Sequence, residues 1–364
     1  MQDDTAEQNS AFTFHGSWRE FAPIAFTNLL LTIVTLGFYR FWATTRERRY
    51  LWGSSRFIDE DLEWTGTGKE LLVGFLMVLV LLGLPFLILQ FATQALAMQG
   101  HGTAAFFLTI GLFTLIVFLV GVARFRALRY RLNRTYWHGI RGGSDDQGFA
   151  YGLSYLWKSA AGYLSAGLLI PWSMTSLWNE RWGAMSFGSH PFRCDAEFSP
   201  LMWRFILFYI APFIMIVGAI IMGAAAALSG AFDTSTFQDP ANLAVVGMAA
   251  GLIILAVYLV LPLIWLFYYS AFFRLVLGKL RLHGLEFAFT ARTRDWLLLF
   301  MGDVALVIVT LGIGWIFLGY RHWKFFITHM EAYGEVDLSQ LTQSTTAVSR
   351  HGEGLLDAFD VGAI

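Results

Sequence analysis

Three polar residues, Asn28, Lys158 and Asp303, each lie inside an otherwise apolar run of the sequence. On insertion scales a charge at mid-membrane costs on the order of 3 kcal/mol, so such a residue is retained where it is paired, hydrated or useful. Gathered in one pocket, these side chains would bind a cation, a proton or a small polar solute. An ion pair between Asp303 and Lys158, with Asn28 nearby, is one arrangement that would neutralise both charges.

A structural role explains the same residues without a ligand. Lys158 follows Trp157 and can extend its ammonium to the membrane interface. Asn28 and Asp303 can hydrogen-bond bent backbone at the tips of helical hairpins. At the level of sequence both interpretations stay open.

The three residues share one position in a segment that occurs three times. The register that places Asn28 on Asp303 also places Leu31–Gly37 (LTIVTLG) on Leu306–Gly312 (LVIVTLG). The register that places Asn28 on Lys158 brings identical residues together again: Gly37, Trp42, Trp52, Gly53 and Phe57 fall on Gly167, Trp172, Trp182, Gly183 and Phe187. This pattern predicts an internal repeat.

The composition is that of a multi-pass membrane protein. Hydrophobic residues make up 56% of the 364 residues, and charged residues only 14%. This apolar share is above that of a soluble globular domain. The single cysteine, Cys194, excludes an internal disulfide framework, and nothing in the charge pattern favours nucleic-acid binding.

The distribution of basic residues predicts how the chain crosses the membrane. No Lys or Arg occurs between Glu70 and Ala123 or between Phe205 and Phe273, so each of these apolar stretches is expected to cross and return. All 25 Lys and Arg can then face the cytoplasm, provided that each repeated segment returns to the side it entered from. We therefore predict an all-α polytopic membrane protein with four transmembrane helices plus three repeated re-entrant or interfacial helical hairpins. Both termini would be cytoplasmic.

Short segments before the membrane entries alternate apolar and polar residues, which predicts short cytoplasmic β segments that could assemble into a small sheet under the membrane. They read FTFHG, LEWTG, HGIRGG, PFRCDAEF and HGLEFAF. The predicted organisation is a disordered N-terminus (1–11), repeat 1 (12–141), repeat 2 (142–286), half repeat 3 (287–333) and a flexible C-terminal tail (334–364). Each full repeat comprises one hairpin and two transmembrane helices.

A row of arginines follows the second predicted transmembrane helix. Its members are Arg124, Arg126, Arg129, Arg131 and Arg134. Arginines at a cytoplasmic interface are attracted to anionic lipid headgroups, so they could form a headgroup pocket. Ordinary anchoring at the interface explains the same row. Membrane lipids, of the anionic kind, are the expected partners.

Signatures of an enzyme are lacking. Gly66–Lys69 does not have the spacing of a phosphate-binding loop, and His322 and His329 do not match HExxH. No Ser, His and Asp set can be nominated for nucleophilic catalysis. We expect neither catalysis, nor a cofactor, nor a metal.

The motif TLGFYRFW at Thr35–Trp42, followed by RRY at Arg48–Tyr50, resembles the YjgN family of bacterial inner-membrane proteins, which has no established function. The resemblance extends from Phe12 to about Met330. In that family a proline usually precedes the tryptophan; here the first copy has Phe41, whereas the second keeps Pro171. The resemblance implies a multi-pass protein of the bacterial inner (plasma) membrane and supplies no catalytic residues.

Two functions follow as expectations. The first is a transporter or permeation protein for a small solute or ion, working through a polar site at Asn28, Lys158 and Asp303. The alternative is a non-transporting membrane scaffold that binds anionic lipid or a protein partner. A hydrated cavity reaching the three polar residues would favour transport, and a dry, packed core would favour the scaffold.

Overall fold

The computed structural model describes residues 10–228, 240–334 and 342–346. The helices are α1 (Trp18–Val34), α2 (Arg40–Gly53), α3 (Gly68–Val78), α4 (Leu84–Met98), α5 (Gly102–Arg134), α6 (Phe149–Leu164), α7 (Ile170–Gly183), α8 (Met202–Leu228), α9 (Pro240–Leu277), α10 (Thr293–Val309) and α11 (Leu318–His329). The strands are β1 (Phe12–Phe14), β2 (Ser55–Phe57), β3 (Glu60–Asp61), β4 (Glu63–Trp64), β5 (Thr135–Trp137), β6 (Ile140–Gly143), β7 (Ser186–Phe187), β8 (His190–Cys194), β9 (Leu280–Leu282), β10 (Leu285–Phe289) and β11 (Met330–Tyr333).

Three helical stretches in the described part of the chain are long and apolar enough to cross a membrane. They are Gly102–Arg134, Ser199–Ala225 and Val260–Leu277. Only 11% of the most apolar window of Ser199–Ala225 is buried within the protein, so its side chains need an apolar solvent such as lipid. The predicted helical membrane character agrees with these helices.

A further apolar helix has an irregular centre. α3 and α4 are joined by a π-helical turn at Leu79–Gly83, and Pro85 occupies the first turn of α4. Proline lacks a backbone N–H and clashes with the carbonyl of the preceding turn, which explains a local change in helical bonding. The helix nevertheless continues from 68 to 98.

Three helix pairs, α1–α2, α6–α7 and α10–α11, are joined by turns of the same backbone form. In each turn a non-glycine residue with φ between +50° and +54° precedes a glycine with φ between +90° and +93°. The residues are Leu36–Gly37, Ala166–Gly167 and Leu311–Gly312. The hydroxyls of Thr35, Ser165 and Thr310 accept hydrogen bonds from the backbone N–H groups of Tyr39, Leu169 and Gly314.

The strands form a larger sheet than the short segments of the sequence suggested. Eight of them, β4 to β11, pair in chain order, and β1, β2 and β3 form a second sheet. The pairs are antiparallel. Along β10, Leu285, Phe287 and Phe289 are buried, as the alternation LEFAF predicts. The apolar face of the sheet packs in one cluster with Phe125 of α5.

The first and last helix pairs meet. The rings of Trp52 (α2) and Trp323 (α11) stack with centroids 3.9 Å apart. Trp323 Nε1 donates to Ser55 Oγ at 2.8 Å, and the Tyr320 hydroxyl donates to the carbonyl of Gly16 at 3.0 Å. The two ends of the described chain are thereby held together.

Part of the predicted flexible tail contacts the sheet. The Thr346 carbonyl accepts a hydrogen bond from Arg141 Nη2, and Gln343 Nε2 donates to the carbonyl of Gly139 at 2.8 Å. Most of the predicted disordered N-terminus, residues 1–9, lies outside the described residues. The predicted domain boundaries stay predictions.

Candidate functional site

Each of the three polar residues bonds the second helix of its own helix pair. Asn28 Nδ2 donates to Glu47 Oε1 at 3.0 Å and to the carbonyl of Ala43 at 3.3 Å. Lys158 Nζ donates to Glu180 Oε2 at 2.6 Å and to Ser176 Oγ at 2.8 Å. These partners satisfy polar groups that would be costly to bury alone.

Asp303 lies between Arg321 and His322 of α11. Arg321 Nε donates to its Oδ1 at 2.6 Å, and His322 Nε2 lies 2.7 Å from its Oδ2. Asp303 is 9% exposed. A buried carboxylate held by two such groups is a well-satisfied ion pair that links α10 to α11.

The structure does not join the three residues to one another. The ion pair considered between Lys158 and Asp303 is not formed. Lys158 pairs with Glu180 instead, and Asp303 is bonded to Arg321 and His322. Among the described residues, no hydrogen bond or ion pair connects Asn28, Lys158 and Asp303. Solute binding by this set stays a prediction, and the bonds themselves tie each helix pair together.

The arginine row is divided among several contacts. Arg134 forms an ion pair with Glu70 at 2.7 Å. Arg126 Nε donates to the carbonyl of Gln147 at 3.0 Å, and Arg129 Nη1 donates to the carbonyl of Asp146. Arg124 instead contacts α6: its guanidinium lies 5.6 Å from the centre of the Tyr155 ring. These contacts hold the arginines at different places along the helix, and the headgroup pocket with its lipid binding stays a prediction.

Arg124 lines a cavity of about 390 Å³ between α5, α6, α7 and α9. A second arginine, Arg181 of α7, lines the same cavity. The remaining wall is aromatic, hydroxylic and apolar: Tyr151, Tyr155, Ser159, Gly162, Tyr163, Ile170, Ser173, Met174, Leu177, Trp178, Tyr269, Phe272 and Phe273. No Asp or Glu is among these lining residues. We call this space the two-arginine cavity.

Arg181 has no carboxylate partner among the described residues. It is 6% exposed, its Nε is buried without a hydrogen-bond partner, and its guanidinium lies 5.4 Å from the centre of the Trp178 ring. Burial lowers the pKa of this guanidinium; Tyr151 raises that pKa, and the charges of Arg124 and Arg131 lower it further. A buried cation surrounded by other cations is the arrangement that an anionic ligand stabilises.

Glu180 does not neutralise Arg181, although the two are adjacent in sequence. The Glu180 carboxylate is bonded to Lys158 Nζ on α6. Lys158, one of the three sequence-predicted site residues, therefore pairs with the acid that directly precedes Arg181 in the sequence.

Arg181 was missed in the sequence, although the predicted repeat contained a signal for it. In the alignment of the three segments that superimposes Asn28, Lys158 and Asp303, Arg181 also has a counterpart in each of the other two segments. These counterparts are Leu51 in the first segment and Phe326 in the third. The second copy thus carries an arginine where the other two carry large apolar residues.

Comparisons with known proteins give a family without an assigned activity. Residues 9–358 match a family described as "Bacterial protein of unknown function (DUF898)". The chain is similar to inner membrane protein YjgN of Escherichia coli O157:H7, with 30% identity over 131 residues, which cover 36% of this chain and 30% of that protein. It is similar to the protein of the same name in Salmonella typhimurium, with 25% identity over 135 residues, which cover 37% of this chain and 31% of that protein.

The match thus spans less than a third of the length of these curated relatives. No solved structure matches the chain. The resemblance to the YjgN family is confirmed.

Proposed function

The chain belongs to the DUF898 family of bacterial proteins, and we propose that it is an inner-membrane protein that binds an anion in the two-arginine cavity. The anionic group would be a phosphate or a carboxylate, carried by a lipid or by a smaller molecule. The relatives are named inner membrane proteins, which supports this location. The proposed role is non-enzymatic.

The observation that carries the proposal is the buried Arg181 guanidinium without an acidic partner among the described residues, which lines the same cavity as Arg124. Removing such a charge from water costs several kcal/mol unless a counter-charge accompanies it. Bidentate bonds from arginine to phosphate or carboxylate are among the strongest that side chains form. The cavity wall combines apolar surface with hydroxyl groups, which suits a ligand that has both an apolar and a polar part. The residues that supply both are Tyr151, Tyr163 and Tyr269, and further hydroxyls come from Ser159 and Ser173.

The proposal includes the membrane arrangement predicted from the sequence. The α3–α4 helix would be the fourth span beside the three described ones, and the helix pairs would be re-entrant or interfacial repeats with both termini in the cytoplasm. Leu36, Leu164 and Leu311 at or beside the three turns are 92%, 87% and 93% exposed, which supports insertion of the turns into lipid. The shared turn geometry and the equivalent bonds of Asn28 and Asp303 to α2 and α11 support a repeat.

Transport of the bound anion is a second candidate. The two-arginine cavity lies between the second helix pair and the helices α5 and α9, a position from which a bound group could pass between two sides. Transport of a small solute or ion at Asn28, Lys158 and Asp303 has less support, because each of them is occupied within its own helix pair. Flux of a radiolabelled anion into liposomes that depends on Arg181 would favour transport; binding without flux would favour the scaffold.

Arg181→Leu is the informative change for the binding proposal, because the other two copies carry Leu51 and Phe326 at this position. Burying a charge without a counter-charge costs several kcal/mol, and an apolar side chain of similar size removes that cost. We therefore expect the ligand-free variant to unfold at an equal or higher temperature and yet to lose anion binding. A purely structural arginine would give a lower unfolding temperature.

The measurement is a calorimetric titration of the protein in uncharged detergent with short-chain phosphatidylglycerol and short-chain phosphatidic acid. Arg294→Gln is the matched control, since Arg294 is exposed and outside the cavity. Binding of either lipid that Arg181→Leu abolishes and Arg294→Gln retains supports the proposal. Equal binding by wild type and Arg181→Leu overturns it.

A further inference from the structure

The two-arginine cavity carries an unbalanced charge that specifies its ligand more closely. Arg124 and Arg181 are the charged residues among its lining residues, and both are cationic. The next cation, Arg131, acts on Arg181 from the same helix as Arg124. Glu180, the acid that precedes Arg181 in the sequence, is bonded to Lys158. The lining residues therefore present about two positive charges to whatever occupies the space.

We infer that the cavity selects a phosphate monoester, the terminal phosphate of a lipid or of a soluble molecule, over a phosphate diester or a carboxylate. This inference rests on the proposed function and names the ligand class of the same site. A monoester phosphate carries about −1.5 to −2 charges at neutral pH, whereas a diester or a carboxylate carries one. Only the monoester balances both guanidinium groups.

The hydrogen-bonding groups around the cavity fit the same ligand. A monoester phosphate has three terminal oxygens that accept hydrogen bonds. Arg124 and Arg181 each offer several N–H groups, and the Nε of each is buried without a partner. The Arg124 Nη1 contact to the Tyr155 hydroxyl is long, at 3.5 Å, so it can yield to an anion. A diester has two such oxygens and would leave more of these buried donors unpaired, which is unfavourable.

The size of the cavity suits a headgroup together with the first part of an apolar chain. Its volume of about 390 Å³ lies in the range of small-molecule pockets. Ile170, Met174 and Phe272 belong to the apolar part of the wall. A lipid monoester would place its phosphate at the arginines and its chain along these residues, and a soluble monoester would use the phosphate subsite alone.

The selectivity predicts a pH dependence that comes from the ligand. The titratable groups that line the cavity or act on its lining residues are Arg124 and Arg131 from α5, Tyr151, Tyr155 and Tyr163 from α6, Glu180 and Arg181 from α7 and Tyr269 from α9. No histidine is among the described residues that line the cavity. The second ionisation of a monoester phosphate has a pKa of about 6, so lowering the pH through that value removes one negative charge from the ligand.

The test compares four probes by calorimetric titration of the full chain in uncharged detergent. They are short-chain phosphatidic acid, short-chain phosphatidylglycerol, a short-chain fatty acid and glycerol phosphate. At a pH of about 8 we expect phosphatidic acid to bind at least about tenfold more tightly than phosphatidylglycerol or the fatty acid. At a pH of about 5.5 its affinity should fall roughly threefold, while that of phosphatidylglycerol stays constant.

Arg124→Gln adds a second, independent outcome. Because one guanidinium remains, we expect phosphatidylglycerol to keep most of its affinity while the preference for the monoester disappears. Arg294→Gln should leave both the affinity and the preference unchanged. Binding of glycerol phosphate with the same pH dependence supports a soluble source of the monoester, whereas binding of phosphatidic acid alone supports a lipid source.

The outcomes separate the two claims. If none of the anions binds in an Arg181-dependent manner, the proposed function and this inference both fail. If phosphatidylglycerol or the fatty acid binds as tightly as phosphatidic acid, or if the pH has no effect, anion binding stands and selection of the monoester is wrong.

Discussion

At the level of single residues, the structure assigns a helix-joining bond to each polar group that stands out in the sequence. Asn28, Lys158 and Asp303 all reach across to the second helix of their pair. The register that places Asn28 on Asp303 also places its partner Glu47 on His322, so these two bonds occupy corresponding positions of the predicted repeat. Arg181 lacks an acidic partner among the described residues, which makes it the more informative residue for function.

Removing the ion-pair partner of a buried charge should lower the stability of the fold more than removing the ion-pair partner of an exposed charge. Lys158 is 9% exposed, so Glu180→Gln leaves its ammonium buried without a counter-charge and should destabilise the fold by about 1–3 kcal/mol. Glu286→Gln, which breaks the exposed ion pair of Arg281 and Glu286, should cost less than about 1 kcal/mol. Thermal unfolding in detergent measures both.

The double variant Lys158→Met with Glu180→Gln completes the test. It should recover part of the loss, because the charge that lacked a partner is gone. Equal unfolding temperatures for Glu180→Gln and Glu286→Gln would show that the buried ion pair of Lys158 and Glu180 stabilises the fold no more than the exposed pair does.

At the level of secondary-structure elements, the helix pairs are defined by their turns. Gly37 and Gly312 have φ of +93°, and a Cβ at either position would meet nothing within 4 Å. Space therefore permits a side chain, but the left-handed backbone disfavours one. The hydroxyls of Thr35 and Thr310, which accept from backbone N–H groups beyond the glycines, close the same turns.

Alanine at these glycines should carry a purely conformational cost. We expect Gly37→Ala and Gly312→Ala each to destabilise the protein by about 1 kcal/mol, because L-residues strain in the left-handed region. Gly183→Ala is the control: its Cβ also meets nothing within 4 Å and its φ is not in that region. It should be neutral or slightly stabilising near a helix end. The same loss at all three sites would contradict the turn assignment.

At the level of the whole molecule, the described chain closes on itself. α2 and α11, which are far apart in sequence, share the stacked pair of Trp52 and Trp323, while Phe21 of α1 stacks on Tyr320 at 5.2 Å. The eight-stranded sheet connects the strands between these ends in chain order. Each helix pair is therefore held both by the sheet and by its neighbours.

Breaking the contact between the ends should loosen the whole molecule. Trp323→Ala removes the stacked ring and the bond to Ser55, and we expect a loss of about 3 kcal/mol in stability. Trp315→Ala is the matched control, since Trp315 lies in the short 3₁₀ helix that connects α10 to α11 and is 71% exposed. A double-mutant cycle of Trp52→Ala and Trp323→Ala should show a coupling free energy of about 0.5–1.5 kcal/mol between the two rings. Additive effects of Trp52→Ala and Trp323→Ala would contradict closure through this pair.

The local features of this protein can be inferred from its sequence. Apolar runs, alternating segments such as LEFAF and the residue pattern TLG before the bends at Gly37 and Gly312 involve residues close together in the chain, so helices, strands and turns could be placed from them. The helical membrane character and the family resemblance were available at the same level. The size of the sheet was underestimated, because pairing across the chain leaves no local signal.

Which distant side chains meet depends on the tertiary structure. Lys158 and Asp303 were candidates for one ion pair, but Lys158 pairs with Glu180 and Asp303 pairs with Arg321. Each of these partners lies on the second helix of the same pair, because the turn folds that helix back against the first. Arg124 and Arg181 come from α5 and α7 and line one cavity because α6, which lies between these helices in the sequence, packs against both of them. Charge can be counted from a sequence, but whether it is neutralised depends on packing.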